Sequence, residues 1–141
     1  MTTVYLTNPT INITQGATTT DFTDNCSSIT ATLGYTSLET TAFGSTGLSY
    51  APGLKTSDIS MTVFMAYGAA EIEAALATYV GTGTTTLTFS PAGVTEGPSN
   101  PEFTVSGAML AAYDVVVGTV NELSVVELSW TGGTWVRDVT P

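Results

Sequence analysis

The sequence predicts a mainly β domain with one α-helix, and three observations predict it. Apolar and polar residues alternate with period two through most of the chain. The pair Gly132-Gly133 separates the last two alternating runs, and a Gly-Gly dipeptide in that setting is a two-residue hairpin signal. Only one segment, residues 68–80, spaces its apolar side chains for a helix.

Residues 1–24 read as an N-terminal arm. A strand follows in which Ile29, Ala31 and Leu33 alternate with Thr30 and Thr32. Residues 41–55 then form a long glycine-punctuated loop that carries Phe43, Leu48, Tyr50 and Leu54 among Gly44, Gly47, Pro52 and Gly53. Loops of this length in compact domains are usually functional or disordered, and disordered ones avoid large apolar groups that they cannot bury. These side chains therefore need a surface to pack on, either the domain's own core or a neighbouring subunit. The glycines do not make a phosphate cradle, because neither the G-x-G-x-x-G spacing nor a Gly-Lys-Ser/Thr ending is present.

Beyond the loop, Ile59, Met61, Val63 and Met65 alternate with Ser60 and Thr62. In the helix, Ile72, Ala75, Leu76, Tyr79 and Val80 share a face, Glu71 and Glu73 occupy the first turn where the macrodipole favours them, and Gly81 stands at the C-terminal cap. Leu87 and Phe89 alternate with Thr86 and Thr88, and residues 91–101, with Gly93, Gly97 and Pro98, form a stiff connector. Phe103, Val105 and Met109 alternate with Thr104 and Ser106. A final hairpin over residues 123–138 turns at Gly132-Gly133 and sets Trp130 across from Trp135 as a cross-strand aromatic pair.

Composition excludes several classes of function. With 141 residues the chain has the length of a single domain. It has no histidine and one cysteine, Cys26, so the commonest general base, a thiolate cluster and an internal disulfide are missing, and neither a cofactor nor a metal is expected. The acids are scattered without a histidine, lysine or cysteine partner nearby in sequence, and Glu71 and Glu73 point in different directions on the helix; an enzyme is not expected. Twelve Asp and Glu against two Lys and Arg give a net charge of −10, which does not suit gripping nucleic acid or an anionic membrane. No apolar run is long enough to span a bilayer, and the N-terminus has no secretory signal. Charged residues make up only 10% of the chain, and interface centres are depleted of charge, so the composition favours a surface covered by copies of itself.

Five stretches then carry a resemblance: Thr41-Ala42-Phe43-Gly44; Tyr50-Ala51-Pro52-Gly53-Leu54-Lys55 leading into an alternating strand; the helix near Gly68 to Val80; Asn100-Pro101-Glu102-Phe103; and Val136-Arg137-Asp138. In order and spacing the sequence resembles the major tail protein, the tail-tube subunit, of long-tailed siphovirus-type bacteriophages, especially those of actinobacterial hosts. The resemblance covers about residues 20–138. Ser45 stands where the family pattern has an acidic residue, and Ala66 where it has Asp, so particular inter-subunit salt bridges of the family are not expected here.

The resemblance implies a β-sandwich or barrel with one flanking helix and a long stacking loop. It implies hexameric rings stacked into a tube through which DNA leaves the head without specific binding. The implied partners are further copies of the chain, a tape measure protein, and tail terminator and distal tail proteins; the implied location is the virion tail, after synthesis in the host cytoplasm. Carried over residue by residue, it assigns Phe43, Gly44, Tyr50, Pro52, Gly53 and Leu54 to contacts with the next ring. It also assigns the strands near Thr30–Glu39 and Asp58–Met65 to the inner wall, with Glu39, Asp58, Thr30, Thr32, Ser60 and Thr62 as lumen-facing candidates. The competing reading of the residues is a carbohydrate-binding or adhesin-type β-sandwich that displays Trp130, Trp135 and Tyr50.

Overall fold

The computed structural model describes residues 8–140. In chain order these form β1 (Thr10–Gln15), β2 (Thr18–Asp21), β3 (Cys26–Glu39), β4 (Tyr50–Phe64), α1 (Ile72–Tyr79), β5 (Thr85–Ser90), β6 (Glu102–Leu110), β7 (Val125–Thr131) and β8 (Thr134–Asp138). The pairings are antiparallel and run in the order β2-β1-β5-β6-β7-β4-β3, with β8 also on β6. The mainly β fold with one helix is as the sequence predicts.

The expected hairpin at Gly132-Gly133 does not form. Trp130 and Thr131 pair with Leu110 and Met109, and beyond the glycines Thr134 and Trp135 pair with Ser106 and Val105, with no residue gained or lost. β7 and β8 are thus two halves of one strand running along β6. Opposite the glycine pair lies Gly107, and all three glycines adopt left-handed backbone, with φ of 82°, 81° and 91° for Gly107, Gly132 and Gly133. A Cβ on Gly133 would come within 2.5 Å of the Ser106 carbonyl oxygen. Here glycine permits a close approach and a sharp corner in two strands at once, a role that it takes as readily as a turn. The sheet folds over at this corner into two layers, β2-β1-β5-β6-β8 and β7-β4-β3, the second joined through the end of β6.

The same corner shifts the alternation of β6. Val105 is buried before Gly107, and Ala108 and Leu110 after it, so Met109 is exposed rather than part of the apolar face that the sequence suggests. Trp130 and Trp135 do not face each other. Trp130 is fully buried and lies 5.9 Å from the ring of Tyr79, whereas Trp135 packs edge-on against Tyr35 at 5.6 Å.

Between the layers the core gathers Ile11 and Ile13 of β1, Ile59, Met61 and Val63 of β4, Leu87 of β5, Val105 of β6, and Val126, Leu128 and Trp130 of β7. Of the expected N-terminal arm, residues 1–7 lie outside the described residues, and residues 10–21 are a hairpin of the sheet that buries Ile11 and Ile13; Phe22, just after it, is buried as well. The helix is shorter than residues 68–80: it spans Ile72–Tyr79, with Glu71 as N-cap and only Glu73 of the two acids in the first turn. At eight residues it depends on packing, through Ile72, Leu76 and Tyr79 on one face. The Tyr79 hydroxyl donates toward Ile13 O at 3.2 Å and Thr20 Oγ1 at 2.9 Å, tying α1 to the β1–β2 hairpin. In the 91–101 connector, the Asn100 side chain accepts from Ala92 N and donates to Ala92 O and Val94 O, giving the segment an internal scaffold.

Candidate assembly surfaces

Three strands present one polar face. On β4, Ile59, Met61 and Val63 point into the core, so Asp58, Ser60 and Thr62 point outward. The ladders place Thr32, Asp58 and Thr131 in one row across β3, β4 and β7; Thr30, Ser60 and Ser129 in the next; and Ser28, Thr62 and Glu127 in the third. These nine side chains are seven hydroxyls and two carboxylates, with no basic group. Five of the six lumen candidates read from the sequence therefore share one face. Glu39 does not: it pairs with Tyr50 at the far end of β3, and strict alternation along β3 puts it on the opposite face from Thr30 and Thr32.

At the fold's corner β4 and β8 part. Gly132 N donates to Ser57 O at 3.3 Å and the Ser57 hydroxyl donates to Gly132 O. Past this point β8 follows the bend while β4 runs straight on, paired only with β3. The expected 41–55 loop is thus half strand. Tyr50 to Lys55 continue β4 opposite Tyr35 to Glu39, and only the tip, residues 40–49, is irregular. Pro52 and Gly53 argue for a loop, yet β4 has no second neighbour there to miss the proline's N–H, and the register slips by one residue between Tyr35 and Ser37. The result is a two-stranded arm, about 25 Å long from Asp58 to Tyr50 at the usual rise of a strand.

The arm is held firmly at its base. Trp135 Nε1 donates to Gly34 O at 3.0 Å, and Lys55 Nζ donates to Trp135 O at 2.9 Å. At the tip, Thr40 N donates to Ser49 O at 2.8 Å and Ser49 N to Thr41 Oγ1 at 2.9 Å, and Gly44 sits in the turn that Ser45 N closes onto Ala42 O. This frame holds Phe43 fully in solvent; Leu48, Tyr50 and Leu54 are also exposed, Leu54 at 82%. Of the expected contact residues, Tyr50, Pro52, Gly53 and Leu54 belong to the strand part and Phe43 and Gly44 to the tip.

Comparisons with family models and with curated proteins find no match. Solved structures do match. The SPP1 tail tube superposes with a TM-score of 0.71 at 9% identity, covering 94% of this chain and 77% of that one. The sheath/tube terminator of an extracellular contractile injection system, PVC, in the extended state gives 0.66 at 14% identity and 98% coverage of both chains. A chain of the virion of the native gene transfer agent particle gives 0.65 at 12% identity, covering 91% of this chain and 95% of that one. The fold is that of tail-tube proteins.

Of the three aromatics that the sugar-binding reading displays, only Tyr50 is exposed. Trp130 is buried, and Trp135 is half covered by Tyr35 and by Lys55, whose Nζ lies 4.9 Å from the ring centroid. Glu127, Ser129 and Thr131 join the polar face without being among the candidates expected from the sequence, although the alternation of Val126, Leu128 and Trp130 around them signals an outward face. The acids are not all scattered: Glu102 lies across from Asp138 in the ladder and close to Glu96. Burial, then a hydrogen bond with Glu96 and the charges of Glu96 and Asp138, pushes the Glu102 carboxyl above its ordinary range. Among the described residues, no group of three or more His, Cys, Asp or Glu is placed to hold a metal, and no helix is long and apolar enough to cross a membrane.

Proposed function

We propose that this chain is the tail-tube subunit of a long-tailed phage, by the resemblance one of an actinobacterial host, and that it assembles into hexameric rings stacked into the conduit for DNA ejection. The observation that carries the reading is the β3–β4 arm, which extends past the rest of the sheet and holds Phe43, Leu48, Tyr50 and Leu54 in solvent. A monomer gains nothing from such an arm, because large exposed apolar groups on an ordered projection favour association. β3 adds a second argument: among the described residues no strand pairs with the outer edge of its 14 residues, a length that favours pairing with another chain.

In this reading the arm carries Phe43, Gly44, Tyr50, Pro52, Gly53 and Leu54 to the next ring. The polar face of Thr30, Thr32, Asp58, Ser60 and Thr62, extended by Glu127, Ser129 and Thr131, lines the lumen. A wall of hydroxyls and carboxylates has nothing that neutralises phosphate, so DNA passes without being held. A tape measure protein inside the tube and terminator and distal tail proteins at its ends complete the set of partners. The protein would be made in the host cytoplasm and reside in the virion tail.

Size-exclusion chromatography with negative-stain microscopy tests the assembly. Sixfold rings or hollow tubes are expected, alone or on a tail initiator; a strictly monomeric species at high concentration and in virions overturns the reading.

A further inference from the structure

Among the described residues the folded sheet does not close. Between β3 at one end and the β1–β5–β6 layer lies an apolar groove of about 350 Å³, lined chiefly by Ile11, Ile29, Ala31, Leu33, Phe89 and Phe103. Alternation along β3 turns Ile29, Ala31 and Leu33 toward it, and Phe89 and Phe103, a ladder pair with stacked rings 5.9 Å apart, line the other side. None of its lining residues bears a charge. A dry cavity of about 150 Å³ already accommodates benzene, so this one has room for an aromatic side chain and its neighbour.

We infer that the groove receives the arm tip of a second copy of this chain, with Phe43 as the inserted group; the inference rests on the tail-tube reading and names the receptor for its stacking arm. Charge is the first argument. In a chain of net charge −10, copies repel wherever acids face each other, yet residues 40–50 of the arm and the lining of the groove carry no ionisable side chain except the hydroxyl of Tyr50. These two surfaces can therefore meet without that repulsion. Shape is the second. The arm ends in a fully exposed Phe43, with Leu48 exposed in the same tip, and among the described residues no side chain fills the apolar slot.

The tip cannot fill the groove of its own chain. β3 runs from Leu33 in the groove to Glu39 at the base of the tip, about 20 Å of paired strand, and a ladder held on β4 does not fold back on itself. Tip and groove are different patches on one molecule, so their contact is head-to-tail and leaves a new tip and a new groove at either end. Such a contact extends without limit, as a stack of rings requires.

Disulfide trapping tests this. In a Cys26→Ser background, Ala42→Cys beside Phe43 and Ala31→Cys in the groove are combined, and the protein is oxidised after assembly. The expected result is a ladder of covalent multimers from the double variant and nothing beyond dimers from either single variant. Adding Phe43→Ala lowers the ladder yield at limiting concentration by roughly tenfold or more, as for truncation of a buried aromatic anchor. Tubes that form without a tip-to-groove ladder overturn the groove assignment and leave the tail-tube reading standing. Failure of the unmodified chain to assemble overturns both.

Discussion

The ammonium of Lys55 lies 4.9 Å from the centre of the Trp135 ring while it donates to that residue's own carbonyl oxygen at 2.9 Å. The contact sits where β4 leaves β8, the point at which a projecting arm would otherwise hinge. One of the two basic residues of the chain is thereby committed to holding the arm, and its ladder partner Tyr35 packs edge-on against the same indole.

Loss of this clamp should loosen the arm before it unfolds the domain. Lys55→Met removes the cation and its hydrogen bond but keeps the aliphatic stem, at an expected cost of about 1 kcal/mol in urea unfolding. Trp135→Ala removes the packing as well and should cost about 3 kcal/mol. In both variants, limited proteolysis within residues 40–49 should accelerate by more than the loss of global stability accounts for. Equal cleavage rates in wild type and variants would mean that the arm is stiff without the clamp.

The arm tip should matter for assembly and not for folding. Phe43 and Tyr50 are exposed, so Phe43→Ala with Tyr50→Ala should stay within about 0.5 kcal/mol of wild-type stability while tubes disappear from micrographs. A double variant that unfolds instead would place these side chains in a core, against the geometry of the arm.

Much of this was legible in the residues. Period-two alternation locates β5 and the inward faces of β3 and β4, because each of those strands has one wet and one dry side. The arm reads as loop in the sequence because Pro52 and Gly53 are breakers, but they break a strand only where a second neighbouring strand needs an N–H or packing from them, and β4 has none there. Ile11 and Ile13 alternate with Thr10, Asn12 and Thr14 as plainly as any later strand, so β1 is legible in the sequence even though residues 1–24 read there as an arm. Gly132-Gly133 misled for a different reason. A glycine pair encodes positive φ, and only the partner strand, with Gly107 opposite, decides whether that makes a turn or a corner. The polar face depended on the same long-range information: that Glu127 joins Thr62 and Ser28 follows from strand order, which no local pattern contains.

Stability should fall as pH rises through the range where Glu102 titrates. Its carboxyl is raised above the ordinary value of 4.5, first by burial and then by Glu96 and Asp138. The folded chain therefore holds a proton that the unfolded chain has released, and between the ordinary and the raised pKa each increment of pH favours unfolding. The thermal midpoint should be lower above the raised pKa than at the ordinary carboxylate value, and Glu102→Gln, which is neutral throughout, should narrow the gap. Identical pH slopes for wild type and variant would mean that the drop belongs to the overall negative charge and not to this cluster.

The charge of the polar face should decide how DNA behaves in the tube. Asp58 and Glu127 are its two carboxylates, in outer rows of the ladder on adjacent strands. By the rise of a strand they stand roughly 14 Å apart, more than the screening length of about 8 Å at physiological salt, so each acts on a passing phosphate separately. Repulsion of that range keeps a duplex off the wall without opposing motion along the axis. Asp58→Lys with Glu127→Lys reverses the sign at both points in every copy around a ring. Both side chains face outward, so the variant should fold and form tubes of normal diameter. Those tubes should now retain double-stranded DNA at low salt, and the logarithm of the affinity should fall with the logarithm of salt concentration at a slope of roughly −0.9 for each phosphate neutralised. Wild-type tubes should retain none under the same conditions, and virions assembled with the variant should eject slowly, recovering as salt is raised. Variant tubes that neither bind DNA nor slow its ejection would place the face on the outside of the tube.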